Sequence, residues 1–135
     1  MREQMIRFLT IIVVAMMMLG AGAQAAEQRF FSNISDLPLM PGLYELPDAA
    51  VVFDKEEGRI VESAAAGEGV HHTQVIDFYT KTLPQLGWAV VSSAPAVGAG
   101  LYRRNGEMLS LTARPEGNQG DGVVILQVSL TPLTR

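Results

Sequence analysis

The pair Asn105-Gly106, set between two strand-like runs, constrains this chain more tightly than any other feature. Asn-Gly is the favoured centre of a two-residue type I′ turn, because both central residues need positive φ and these two adopt it most readily. A loop of two residues leaves one register. Arg104 faces Glu107, and Tyr102 faces Leu109 on the same side of the sheet. Leu111 and Ala113 continue that side, while Met108, Ser110, Thr112 and Arg114 turn the other way. After the polar stretch PEGNQGDG, which reads as a loop, Val123 to Thr131 places Val124, Leu126, Val128 and Leu130 at period two. One face of the resulting sheet is strongly apolar and requires a cover.

The cover is a helix. Thr73 is positioned to cap it, and Val75, Ile76, Tyr79, Leu83 and Leu86 recur at three and four residues along one side, with Gln74, Asp77, Lys81 and Gln85 opposite. Pro84 has no amide to give the carbonyl of Thr80, so the helix should stop near Leu83, Gly87 should close the last turn, and Trp88 to Val91 should leave as a strand. Upstream, Ala49 to Phe53 and Arg59 to Ala66 read as two strands joined by DKEEG, with Gly58 supplying positive φ, and AAAGEG reads as a flexible link to the helix. The expected fold is α+β, one helix on an antiparallel sheet, in the order ββαββββ.

The start of the chain carries an address. A charged segment from Met1 to Arg7, with Arg2 and Arg7, runs into apolar Phe8 to Leu19, and Ala23-Gln24-Ala25 offers a small-x-small cleavage site. These are the three parts of a Sec-type signal peptide. A spanning helix needs about 20 apolar residues, and this run of about 12 falls short, so cleavage is the leading reading over an uncleaved anchor or a buried helix. No stable membrane insertion is expected after cleavage. The chain has no cysteine, which excludes a lipid anchor at the cleavage site and leaves no disulfide to stabilise an exported domain. The expected divisions are 1–25, signal peptide; 26–48, a proline-containing extended segment; and 49–135, the α+β domain. Of 135 residues, roughly 110 remain after cleavage, enough for a single domain.

Charge bears on partners. The net charge is −4, and the leader holds two of the basic residues against one acid, so the mature part is more negative still. Arg103-Arg104 is its only basic pair. Nucleic acid is therefore not an expected partner, since grip on a phosphate backbone needs clustered Lys and Arg.

In the segment before the domain, Pro38, Pro41 and Pro47 favour an extended path that wraps over the core. Its Leu37, Leu39, Met40, Leu43 and Tyr44 are too many apolar groups for a solvated tail. They either cover one end of the domain's own core or form a docking strip for another envelope protein.

The residues with chemistry to offer are few. His71 and His72 are adjacent, so one rigid element cannot aim both at a metal, and no second ligand cluster accompanies Glu68 and Asp77. Ser92, Ser93 and Ser110 lack nucleophile-elbow context. Asp54, Glu56 and Glu57 form a charged turn, and the glycines of AVGAGL and EGNQGDG lack the residues of a phosphate or calcium loop. Neither a catalytic set nor a cofactor or metal site is expected. The leading function is a non-catalytic exported module that binds a protein or another envelope component through the proline-bearing strip or the uncovered sheet face. A small-ligand carrier with a pocket between helix and sheet, and an enzyme of unrecognised type, are the alternatives.

The segment VIDFYTKTLPQLGW, with Val75, Phe78-Tyr79, Leu83-Pro84, Leu86 and Gly87-Trp88, resembles one found in small exported bacterial proteins of unknown function. DLPLMPGL and VVFDKEEGRIVE resemble other stretches of such proteins. The resemblance implies an envelope location and an α+β fold, so the mature protein is expected to be periplasmic or secreted, and it brings no activity with it. Trp88 is expected to bury its ring in the domain rather than stack on a ligand.

Overall fold

A computed structural model describes residues 27–117 and 122–133, together with the isolated Glu3. The expected leader, Glu3 apart, lies outside the described residues, as do residues 118–121 of the expected polar loop. Among residues 27–117 and 122–133 the fold is α+β, with one α-helix and antiparallel sheets.

Helix α1 spans His72–Thr82 and passes into a 3-10 turn at Leu83–Leu86. Its cap differs from expectation. His71, not Thr73, is the N-cap: its Nδ1 accepts the Thr73 amide at 3.4 Å, and Gln74 Oε1 accepts the His71 amide at 2.9 Å. The reciprocal pair satisfies two first-turn donors, which one threonine could not do. The end of the helix follows the proline. Pro84 tightens the last turn, and Gly87 closes it at φ 87° while the Trp88 amide bonds back to the Leu83 carbonyl. The tightened turn also rotates Leu86 away from the core, leaving it exposed where the helical periodicity placed it inside.

The main sheet has seven strands: β3 (Leu43–Glu45), β4 (Val51–Lys55), β5 (Gly58–Glu68), β6 (Ala89–Ala94), β7 (Ala99–Arg104), β8 (Glu107–Pro115) and β9 (Val123–Pro132). The lateral order is β3-β5-β9-β8-β7-β6, and β4 shares with β3 the outer side of β5. Asn105 (φ 47°) and Gly106 (φ 80°) make the tight turn, pairing Arg104 with Glu107 and Tyr102 with Leu109. A two-stranded ribbon of β1 (Phe30–Phe31) and β2 (Ile34–Pro38) precedes the sheet.

The second strand runs past its expected end at Ala66: Gly67 and Glu68 continue β5 rather than opening a flexible link, because β3 pairs alongside with Leu43 opposite Gly67. A Cβ at Gly67 would stand 2.5 Å from Leu43 Cδ2, so the small residues are what let the upstream segment dock.

By register, Val61, Ser63, Ala65 and Gly67 of β5 share one face with Val124, Leu126, Val128 and Leu130 of β9, and with Leu109, Leu111 and Ala113 of β8. Val75, Ile76, Tyr79 and Leu83 cover that face from α1, and all join one buried cluster. Phe31, Ile34, Leu37, Leu39 and Leu43 belong to the same cluster and β3 joins the main sheet, so the proline-bearing segment contributes to the core and the sheet alike. Among the described residues the other face of the sheet carries no α-helix, only the 3-10 turn Pro47–Ala49 at its margin. No helix among the described residues is long and apolar enough to cross a membrane.

Candidate functional site

Of the five apolar residues in the proline-bearing strip, Leu37, Leu39 and Leu43 are buried and Met40 packs partly against the core. Tyr79 fastens them: its hydroxyl donates to the Pro38 carbonyl at 2.8 Å and accepts the Met40 amide at 3.3 Å. Arg29 Nη2 reaches the Leu43 carbonyl at 3.0 Å. Only Tyr44 turns outward. It pairs with Ala66, so its half-exposed side chain lies on the helix-free face.

That face holds an open trough of about 320 Å³. Period-two alternation sends Glu62 and Ala64 of β5, Gln127 and Ser129 of β9, and Ser110 and Thr112 of β8 into it. Register aligns them in two rows across the strands: Glu62, Ser129 and Ser110 in one, Ala64, Gln127 and Thr112 in the next. Neighbouring strands lie about 4.8 Å apart, so the rows set hydrogen-bonding groups at near-regular intervals. Ser129 Oγ donates to Glu62 Oε1 at 2.6 Å, and Gln127 Oε1 accepts from Arg114 Nη2 at 2.7 Å. Among the described residues the Gln127 amide nitrogen and the second Glu62 oxygen have no hydrogen-bond partner. The trough lining contains no Lys or Arg, so it offers hydroxyls, an amide and one carboxylate. Val51 pairs with Glu62 and Phe53 with Ile60, which puts both apolar side chains on the same face at the β4 margin. A smaller cleft of about 220 Å³ lies between Gln28-Arg29 and Leu39 to Gly42.

The remaining polar residues are committed elsewhere. The His71 ring sits 2.9 Å from Thr73 Oγ1, and His72 Nε2 lies 3.2 Å from the Ala96 carbonyl, which it meets as a donor. No group of three or more His, Cys, Asp or Glu suited to a metal occurs among the described residues. Asp54, Glu56 and Glu57 lie exposed at the β4–β5 turn. Ser93 Oγ and Tyr102 Oη flank Thr80 Oγ1 at 2.8 and 2.9 Å, a hydroxyl cluster between helix and sheet. Burial pushes the Tyr102 phenol above its ordinary value, against the opposing pull of Thr80 and Ser93. Trp88 is buried, and the Arg104 guanidinium covers its ring with Cζ 4.2 Å from the centroid. Arg104 also bonds Asp36 and donates to the Leu86 carbonyl at 2.9 Å, tying β2 to the helix exit. The indole N–H finds no acceptor among the described residues.

The trough residues Glu62, Gln127 and Ser129 carry no motif. Their signal is the polar half of the alternation in β5 and β9, and it becomes a site only when the β5–β9 register brings two distant segments together. No protein-family model, curated protein or solved structure matches this chain.

Proposed function

We propose that the chain is exported by its N-terminal leader to the periplasm and acts there as a non-catalytic, envelope-associated binding module. Residues 49–135, with elements in the order ββαββββ, form the binding unit, and the helix-free face of the sheet is its docking surface. The observation that carries this reading is the trough of partly unengaged hydrogen-bonding groups, bordered by the outward Tyr44, Val51 and Phe53. Exposed aromatic and apolar side chains supply much of the affinity of a recognition surface, and hydrogen-bonding groups beside them supply orientation. The resemblance of VIDFYTKTLPQLGW to small exported proteins supports the location. Because Leu37, Leu39 and Leu43 are committed to the core, the strip contributes to this surface through Tyr44.

The test is a pair of variants, Ser110→Arg and Thr112→Arg, each filling the trough from an outward position without touching the core. Capture from the native envelope should yield a component retained by the parent chain and lost from both variants, at unchanged thermal stability. Equal retention by parent and variants would remove the helix-free face from consideration. Intact mass of the purified protein checks the location, the expected N-terminus being Ala26.

A further inference from the structure

The two margins of the main sheet are built differently. At the β6 margin the pairing with β7 shifts register between Val90 and Ser92, a bulge of the kind that blunts an edge against further strands. At the β4 margin the pairing with β5 is regular through all five residues, with no bulge or proline. Val51, Val52 and Phe53 are 42, 47 and 58 % exposed, three consecutive large apolar residues on an edge whose outer side has no neighbour among the described residues. Isolated monomers protect such edges with charge, bulges or covering loops. Here the charges of Asp54, Lys55, Glu56 and Glu57 gather at the turn and leave the apolar stretch open.

We propose that a second copy of this chain covers this edge, β4 pairing antiparallel with the β4 of its partner about a two-fold axis at Val52. Hydrogen-bonded and non-hydrogen-bonded pairs alternate along an antiparallel ladder, so a two-fold axis normal to the sheet must set one residue opposite its own copy. The sequence decides which. Centring on Val51 sets Val52 and Phe53 against only the partner's Ala50 and the partner's Ala49, and centring on Asp54 opposes two like carboxylates. Centring on Lys55 sets Asp54 against the partner's Glu56. Centring on Phe53 wastes Val52 on the partner's Asp54 and Val51 on the partner's Lys55. Centring on Val52 sets Val51 opposite the partner's Phe53 twice, Val52 opposite the partner's Val52, and Asp54 opposite the partner's Ala50. Aromatic and β-branched residues form favourable cross-strand pairs, and within the strand Val51–Lys55 no like charges meet in this register, Glu56 and the partner's Asp48 falling opposite one another only beyond it.

The bulge at β6 completes the argument. Pairing β4 of one copy with β6 of the next would be heterologous and would build an open array, whereas pairing β4 with itself closes after two copies. The closed arrangement uses the regular edge and leaves the blunted one outside. It also joins the helix-free faces of both copies into one continuous surface, although the pairing itself does not depend on what that surface binds.

Sedimentation of the protein expressed from its full-length sequence should show a dimer, and Val52→Lys should weaken association at least tenfold by opposing two cations at the axis. The absence of native cysteine gives a second readout independent of any folding defect in that variant. Val52→Cys should crosslink to itself under mild oxidation in proportion to dimer content, while Val90→Cys on β6 should not. A monomer across the micromolar range, or crosslinking through Val90→Cys and not through Val52→Cys, would overturn the proposal.

Discussion

Tyr79 on the helix and Pro38 on the upstream ribbon are joined by a buried hydrogen bond of 2.8 Å from phenol to carbonyl, and the same oxygen accepts the Met40 amide. This pair of bonds makes the proline-bearing segment part of the fold. Tyr79→Phe keeps the ring in place but leaves a carbonyl and an amide without their partner, and each unsatisfied buried group costs about 1–3 kcal/mol. Denaturant unfolding should show a loss of about 2 kcal/mol with an unchanged slope. A loss below about 0.5 kcal/mol would mean that water replaces the phenol and the segment is held by its apolar contacts alone.

The same burial sets a limit at alkaline pH. Desolvation raises the Tyr79 phenol far above its ordinary value, outweighing the Met40 bond, and raises Tyr102 in the same direction. The folded chain therefore keeps both protons where the unfolded chain releases them at a pH of about 10. Unfolded protein then binds fewer protons than folded protein, so stability falls as pH rises above that point. Thermal melts between about pH 9 and 11 should show this decline, and Tyr79→Phe should flatten it. An equally steep decline in Tyr79→Phe would assign the effect to other groups.

How much was legible beforehand follows from the range of each interaction. The Asn105-Gly106 turn, the helix stop at Pro84 and the left-handed Gly87 are local, decided within four residues, and they lie where the sequence places them. The sequence points to Thr73 as the cap because imidazole is an uncommon one, although Gln74, three residues after His71, is the position from which a capping box closes. The sequence ends the second strand at Ala66, and Gly67 and Glu68 go to the link because glycine has weak strand preference. The reason for a glycine at Gly67 is Leu43, more than twenty residues upstream, and no local rule reports it. The trough is harder still, since Glu62 and Ser129 meet only through a strand pairing between distant parts of the chain.

Leu39 separates the two roles available to the strip. It is 5 % exposed and lies within the core cluster beside buried Leu37 and Leu43. Truncating a buried leucine costs about 2–5 kcal/mol, and a hydroxyl placed there adds to the loss. For a domain of this size Leu39→Ser should lower the melting temperature by roughly 10 °C or more. A melt within about 2 °C of the parent would show that this side chain is spare for docking.

Ser63 tests whether stability and recognition are separable across the sheet. It sits on the helix side of β5 opposite Val128, is 4 % exposed, and its hydroxyl has no partner among the described residues. An unsatisfied buried hydroxyl destabilises by about 1–3 kcal/mol relative to an apolar group of similar shape. Ser63→Ala should therefore raise stability by roughly 1 kcal/mol, since the small void it leaves offsets part of the gain. Its neighbours Glu62 and Ala64 face the trough, so the substitution works from the opposite side of the same strand and should leave docking at the helix-free face unchanged. A less stable Ser63→Ala protein would instead reveal a polar partner for the hydroxyl, such as a buried water, and a polar site inside the core.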